Sequence, residues 1–526
     1  MVALVVLELV WGAGYLLRTG FVLDGETVFC LWDDAMISMR YARNLASGDG
    51  LVWNPGGERV QGFSNPAVTL VMAGLHRLPV APRHVSLLFQ LLALALQCVS
   101  LVLLWRLARR VAPEHAGLAP AAALAFALCA PVQIWALQGA DTAFVGAWLL
   151  ACLALLAGRG GQTWPRRLPV ALALGAAIRP DATVFALAVI VASGLPPGAR
   201  TRRLLVATIP LAAVWVVLLA GGWLYYGDPL PNTWYLKAVG SPRLLVIRSG
   251  LEQLGARLPG LAPALALAAF AAWRRRGDPV VLAAASCIVA GLAYDVWTGG
   301  DWLGADYASR YAVPVLPLLL LLAIDGAGGL VGILGARLPV GARTGLALAA
   351  GAGVALLASP RLARVEWFDP RAATLLKAVN VQNFRTARFL REHTSPDTSV
   401  AVHWAGVTPY FAERPAIDVL GRSDRHIAKL VVERFLPGHS KWDWDYVLAE
   451  RRPDVFVEVS RGLGDRNDFR AAYFEARSRD GLTFFVRRDA RAKLLDPELE
   501  IIHLPPLRPP AQRTPRRPAG DAKGGL

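Results

Sequence analysis

The chain has 526 residues, 55% of them hydrophobic and only 18% charged, with a mean hydropathy of +0.41. An average soluble chain is roughly a quarter charged, so disordered, fibrous and ordinary soluble classes are excluded. The net charge of +16 does not mark a nucleic-acid binder, because much of it lies in short clusters between apolar runs: Arg106, Arg109 and Arg110; Arg166 and Arg167; Arg200, Arg202 and Arg203; Arg274, Arg275 and Arg276. That is the positive-inside pattern of cytoplasmic loops.

Charge also divides the chain. Residues 360–526 carry 29 of the 55 basic and 22 of the 39 acidic residues. The first 359 residues therefore read as a membrane core and 360–500 as a water-soluble α/β domain. From 501 to 526 the composition is Pro/Arg-rich and predicts disorder. Cys98, Cys129, Cys152 and Cys287 sit in apolar stretches as small hydrophobes. Cys30 has no obvious partner, and no disulfide framework or metal-spaced Cys/His set appears.

In chain order, apolar runs predict spans near 1–23, 84–105, 117–137, 141–157, 204–225, 258–273, 279–297, 310–330 and 344–358. The first has neither a basic flank nor a cleavage site, so it reads as a retained span. The stretch 168–195 is broken by Arg179-Pro180-Asp181, predicting two short helices meeting at a polar break of the kind tolerated only beside a cavity. Counted as two, it brings the total to about eleven spans. The segment 67–80 is apolar but short, fitting a re-entrant or interface-lying helix. If the basic clusters face the cytoplasm, loops 24–66, 226–257 and 298–309 lie outside with the C-terminal domain and converge with the 179–181 break. In 360–500, Asn383–Glu392 is amphipathic, and Ser399–His403, Asp454–Val459 and Leu482–Arg487 read as strands.

The polar motifs cluster in the outer loops. Asp33 reads as the N-cap of a helix of about three turns ending at Gly48. The adjacent Asp34 weakens a purely structural account, since neighbouring helical residues point about 100° apart and capping employs only one. A carboxylate pair at a membrane surface suits a base meeting a lipid-borne substrate. Lys237, beside Asn232 and two tyrosines, fits either a snorkelling interface residue or a phosphate ligand. Arg310 fits an interface anchor or a phosphate or carboxylate clamp. Arg179 and Asp181 are ionisable groups between apolar runs, which usually face a cavity, although they could simply pair. Asp141 fits a helix cap. In the soluble part, the polar, aromatic runs around His403, Asp418, His439 and Trp442 suit sugar recognition, and surface turns would look the same.

These residues carry a resemblance. Asp33-Asp34-Ala35 to Arg40-Tyr41-Ala42, Gly50-Leu51-Val52 with Asn54, and Glu58-Arg59-Val60-Gln61-Gly62 to Asn65-Pro66 are similar to the first outer loop of polyprenyl-phosphate-sugar-dependent GT-C glycosyltransferases. The likeness is greatest to the terminal β-(1→2) arabinofuranosyltransferases. It continues through Arg179-Pro180-Asp181, Pro231-Asn232-Thr233…Lys237, Gly299-Gly300-Asp301…Arg310-Tyr311, Ile417-Asp418-Val419-Leu420-Gly421…Asp424 and Pro437-Gly438-His439…Lys441-Trp442. Two departures are Asp141, where relatives carry Glu, and Ser38-Met39 in place of Ser-Phe.

The resemblance implies an α-helical polytopic GT-C core with a C-terminal periplasmic α/β domain, in a bacterial inner membrane. It implies an inverting transfer from a polyprenyl-phosphate sugar to an envelope glycan or glycolipid, and no nucleic-acid partner. It places the catalytic aspartate at Asp33 or Asp34. With Asp33 taken as base, Asp34 orients the acceptor, and Lys237, Arg310 and Arg179 neutralise the departing phosphate. Arg40, Asn54, Glu58, Gln61, Asn65, Asp181, Asn232, Asp301, His403, Asp418, His439 and Trp442 become candidate substrate contacts. Some such enzymes use a divalent cation (Mg or Mn), for which Asp33, Asp34 and Asp301 are the available oxygen ligands. The sugar, acceptor, linkage, metal dependence and oligomeric state stay open, arabinofuranose being the best-known case. The competing non-enzymatic reading is a polyprenyl-lipid flippase or transporter, whose usual internal repeats are not found.

Overall fold

The computed structural model describes residues 1–114, 117–158, 165–193, 200–334, 339–460 and 462–505. Of the tail expected to be disordered, 506–526 lies outside them, whereas Ile501 and Ile502 belong to a strand, because they pair in register with Ala476 and Glu475. Most of the chain is helix. Among the described residues six helices are long and apolar enough to cross a membrane: Val2–Thr19, Pro82–Val111, Leu204–Tyr226, Arg243–Arg274, Pro279–Thr298 and Val313–Ile333. Two bent pairs raise this to as many as eight. The chain is thus a multi-pass helical membrane protein. Thr142–Ala157, Leu168–Ile178 and Pro180–Ala192 are apolar but shorter than a full span, which is where the sequence count of eleven and the structure part.

The expected polar break is present. Leu168–Ile178 ends at Arg179, whose backbone is extended (φ −148°, ψ 130°), as a residue before proline must be. A single 3-10 turn, Pro180–Ala182, then starts Thr183–Ala192. The span expected at 117–137 bends by 54° between Leu128 and Ala130. The loop expected at 226–257 differs more. It folds as the short helix Asn232–Ala238, and the helix Arg243–Arg274 begins well before its apolar part, because Arg, Leu, Glu and Gln are good helix formers even where hydropathy is low. The 67–80 segment forms the helix Pro66–His76.

Between the first span and the first loop helix lies a hairpin, β1 (Phe21–Leu23) and β2 (Glu26–Val28). Its two-residue turn is Asp24-Gly25, both at positive φ (48° and 80°), the conformation a tight hairpin of this twist demands.

The C-terminal part contains β3 (Val400–Val402), β4 (Ala416–Asp418), β5 (Val455–Phe456), β6 (Tyr473–Arg477), β7 (Thr483–Arg487) and β8 (Glu500–Ile502), in one sheet of order β4-β3-β5-β7-β6-β8. β3 runs parallel to β4 and β5, whereas β6, β7 and β8 add antiparallel. The amphipathic segment is the helix Leu375–His393. A continuous apolar core links this part to the spans, through pairs such as Phe21–Phe384 (5.7 Å) and Tyr15–Trp367 (5.4 Å). The junction is sharp: Gly341–Leu357 and Arg361–Phe368 meet at 116°.

Candidate active site

The first loop helix is Asp33–Ser47, and it ends at Gly48 in the left-handed region (φ 95°), as expected. Asp33 does not cap its own helix, however. The N-cap residue is Trp32. The Asp33 carboxylate instead accepts the backbone N–H groups of Gly406 (3.1 and 3.2 Å) and Val407 (3.0 Å), at the start of the helix Val407–Ala412. A Cβ at position 406 would lie 2.0 Å from the Asp33 carbonyl oxygen, so only glycine permits this approach. Burial, aided by the neighbouring charge of Asp34, outweighs these hydrogen bonds and pushes the Asp33 carboxyl up to about 7.

Asp34 points elsewhere. It pairs with Arg310 (2.8 Å) and Arg422 (3.2 Å). Burial pushes its carboxyl upward, but the two guanidinium groups prevail and hold it well below the usual carboxylate range. Arg310 also lies 3.3 Å from Asp301 and stacks over the Trp32 ring at 4.7 Å. Lys237 donates to the Tyr311 hydroxyl (2.8 Å) and has no carboxylate partner among the described residues.

Asp34, Lys237, Arg310 and Arg422 border two adjoining hollows. The smaller, about 80 Å³, is closed by Asn65, Asp141 and Arg179. Arg179 is held there in a bidentate pair with Asp181 (2.8 and 2.7 Å) and by Asp141 (2.8 Å). Asp141 thus serves as an ion-pair partner rather than the side-chain cap expected of it. Asn65 accepts from Ser38 (2.9 Å) and Thr69 (3.0 Å). The larger hollow, about 650 Å³, is walled by Asp33, Asp301, Trp302, His403, Trp404 and His439 among others. His439 and Trp302 lie ring to ring at 5.1 Å, and His403 Nε2 meets the Ser460 hydroxyl at 2.5 Å.

Arg422 belongs to this site and was not among the sequence candidates. Asp418 and Asn232, which were, act behind it. Asp418, buried at the end of β4, accepts the N–H groups of Leu420 (3.0 Å), Gly421 (3.2 Å) and Ser423 (2.8 Å). Asn232 donates to the carbonyls of Gly421 (2.8 Å), Arg422 (3.1 Å) and Asp424 (3.0 Å). Together they fix the turn that presents Arg422.

Other candidates are not brought to the hollows. Arg40 is 2% exposed and donates to the carbonyls of Trp53 (2.6 Å), Pro409 and Arg414 (3.0 Å) and to Asn54 (2.8 Å). Asn54 also pairs with both backbone groups of Ala416 (2.8 and 3.0 Å). These two residues rivet the first loop to the C-terminal sheet. Glu58 forms a surface pair with Arg425 (3.1 Å). Gln61 offers its backbone carbonyl to the N–H of Asn232 (2.8 Å). Trp442 packs against the smaller core of the C-terminal part.

The trio expected to ligate a cation does not fit one: Asp34 and Asp301 converge on Arg310, and Asp33 is engaged by backbone N–H groups. Among the described residues no group of three or more His, Cys, Asp or Glu side chains is arranged to hold a metal ion.

Residues 374–494 match a family model described as a domain of unknown function, DUF8728. The chain is 28% identical over 234 residues to the terminal β-(1→2)-arabinofuranosyltransferase of Mycobacterium tuberculosis, covering 38% of this chain and 34% of that one. It thus spans about a third of that curated relative. Among solved structures, ArnT from Cupriavidus metallidurans bound to undecaprenyl phosphate superposes with a TM-score of 0.50 at 13% identity, covering 79% of this chain and 85% of that one. The apo oligosaccharyltransferase of Archaeoglobus fulgidus gives 0.56 at 10% identity, covering 95% and 75%. Both are GT-C superfamily members, and the chain resembles them in fold, as its first-loop sequence implies.

Proposed function

We propose that this chain is an inverting GT-C glycosyltransferase that moves a sugar, arabinofuranose by its curated relative, from a polyprenyl-phosphate donor to an envelope glycan or glycolipid. Residues 1–359 form the catalytic membrane core of about eleven spans, counting the short apolar helices, and 360–500 the periplasmic domain that covers it. The observation that carries this reading is the shared border of the two hollows, where one carboxylate, Asp34, pairs with Arg310 and Arg422 and the amine of Lys237 lines the same border.

The acceptor hydroxyl attacks the anomeric carbon as the bond from that carbon to the phosphate oxygen breaks. The proton passes to Asp34, and the electron pair leaves with the phosphate. No general acid is required, because phosphate is a good leaving group. Its growing charge is met by Lys237, Arg310 and Arg422, with Arg179 closing the smaller hollow. Geometry favours Asp34 over Asp33 as base, since Asp34 borders both hollows while both Asp33 oxygens already accept backbone N–H groups. Paired with two arginines, Asp34 is a weak base. A donor phosphate competing for those guanidinium groups loosens the pairing and returns its basicity, so that proton abstraction follows donor binding. The neighbouring carboxylate charge also suits an oxocarbenium-like transition state. Trp302, Trp404 and His439 line the larger hollow, where aromatic rings suit an acceptor glycan.

The test is transfer by the purified full chain in vesicles, given a synthetic polyprenyl phosphoarabinofuranose and an arabinan acceptor. Release of polyprenyl phosphate in step with acceptor glycosylation is expected. Donor crossing the bilayer without release would instead identify a flippase.

A further inference from the structure

A third hollow, about 280 Å³, opens between the helices Arg243–Arg274, Pro279–Thr298 and Leu316–Leu334 and is lined by apolar side chains including Leu261, Ile288, Leu292 and Leu319. Its wall includes Ala305 and Ala308 of the third outer loop, the loop that supplies Asp301 and Arg310 to the active site. It therefore opens toward the same side of the bundle as the catalytic hollow, with that loop between them. At its mouth stand Arg361 and Arg364, which also border an adjoining open surface with Val365 and Phe368.

Both arginines lie on the helix Arg361–Phe368, which turns through 116° from the helix before it. Residues three apart share a helix face. Arg361 and Arg364 thus make one exposed edge and Leu362 and Val365, 47% and 48% exposed, another beside it. A basic edge next to an apolar one is the pattern of a helix lying in the membrane interface. Among the described residues neither guanidinium has a carboxylate or hydrogen-bond partner. Asp369, which borders the same surface, turns its carboxylate onto the Arg371 N–H (2.8 Å).

We infer that this crevice is a binding site for an anionic glycerophospholipid, its phosphodiester held by Arg361 and Arg364 and an acyl chain lying in the apolar hollow. Charge complementarity selects the occupant: two unpartnered cations over an apolar slot at an interface-lying helix favour an anionic over a zwitterionic headgroup, by about fivefold for each arginine. The site is separate from the donor's phosphate pocket, which is built from other residues.

The purified full chain in detergent is incubated with equimolar phosphatidylglycerol and phosphatidylcholine, and retained lipid is counted by native mass spectrometry. The wild type is expected to retain phosphatidylglycerol at least tenfold over phosphatidylcholine. R361Q/R364Q is expected to lose that preference. A256F, placed on an exposed position of the crevice wall, is expected to lose retention of both lipids without touching the arginines. Equal retention of the two lipids by the wild type would overturn the site, as would undiminished preference in both variants. Retention of added undecaprenyl phosphate, and not of phosphatidylglycerol, that is lost in R361Q/R364Q would reassign the crevice to the donor lipid and overturn the inference.

Discussion

Asp33 receives the backbone N–H of Gly406 on both carboxylate oxygens (3.1 and 3.2 Å), although 373 residues separate them. The first acid of the pair thereby ties the loop after the first span to the C-terminal part, and the helix geometry that turns it there swings its neighbour Asp34 toward Arg310 and Arg422. Two adjacent carboxylates thus face different partners, one the backbone of the C-terminal part and the other the proposed catalytic hollows.

Substituting them separately tests that division. D34N is expected to fold normally and to lower kcat by roughly 10²–10⁴, the usual worth of a positioned base. D33N retains one acceptor for the Gly406 and Val407 N–H groups and presents an amide to the other. It is expected to lower thermal stability by about 1–2 kcal/mol, the scale of a lost helix cap, with a smaller effect on kcat. Steady-state kinetics beside melting curves separates the outcomes. A D34N variant with full turnover and a folded D33N variant without any would return the base to Asp33.

Arg422 is predicted to act on both donor and base. R422Q is expected to lower kcat/KM by roughly 10²–10³ through lost phosphate stabilisation. It also removes a cation that depresses the Asp34 carboxyl, so the Asp34 pKa rises. Activity that needs ionised Asp34 then fails at a higher pH than in the wild type, and the acid limb of kcat/KM shifts toward neutrality. An unshifted limb would separate Arg422 from the base.

Much of this was legible in the sequence where local patterning decides the outcome. Apolar run length located the long spans, Arg179-Pro180-Asp181 marked the break, and Gly48 marked the end of the loop helix. Asp24-Gly25 is a hairpin turn signal, but its strands are only three residues long, too short to show the alternation that would mark them. β4 was hidden for the same reason, and its Asp418 looked like a sugar ligand because an acid braced by turn N–H groups has no distinguishing local pattern. Arg40, Asn54 and Asn232 are substrate candidates through the motifs that carry the resemblance. Their partners are backbone groups far away in sequence, such as Pro409 and Gly421, so only the tertiary fold reveals them as fasteners. Arg422 reaches the site for the converse reason: nothing near it in the chain signals Asp34.

Arg40 is predicted to matter for stability rather than recognition. Its guanidinium is buried, and its contacts to Trp53, Pro409, Arg414 and Asn54 span the first loop and the C-terminal part. Hydrogen bonds from a charged donor are worth about 1.5–3 kcal/mol each, and truncation strands the carbonyls. R40A is therefore expected to lose at least about 3 kcal/mol and to expose the 405–416 segment to proteolysis. A melting temperature unchanged from the wild type would contradict this.

Ala308 supplies the last prediction. It adopts φ 61° and ψ 153°, a region essentially reserved for glycine and costing about 1–3 kcal/mol for other residues. Its neighbours hold it there. The Trp135 indole donates to the carbonyls of Tyr307 (3.1 Å) and Ala308 (3.0 Å), the Tyr307 hydroxyl donates to Glu366 (2.5 Å), and buried Ser309 donates to Asp295, itself paired with Arg257. The next residue is Arg310, so this constrained backbone sets where the proposed phosphate clamp stands. A308G relieves the steric cost and adds unfolded-state entropy worth about 0.4–1 kcal/mol, so a net gain in stability of up to about 2 kcal/mol is expected, with KM for the donor unchanged. D295N, which loosens the same loop without touching the hollows, is expected to raise that KM while leaving the fold intact. Calorimetry on A308G and donor titration on D295N check the two halves, and a destabilised A308G would show that the backbone at 308 is not strained.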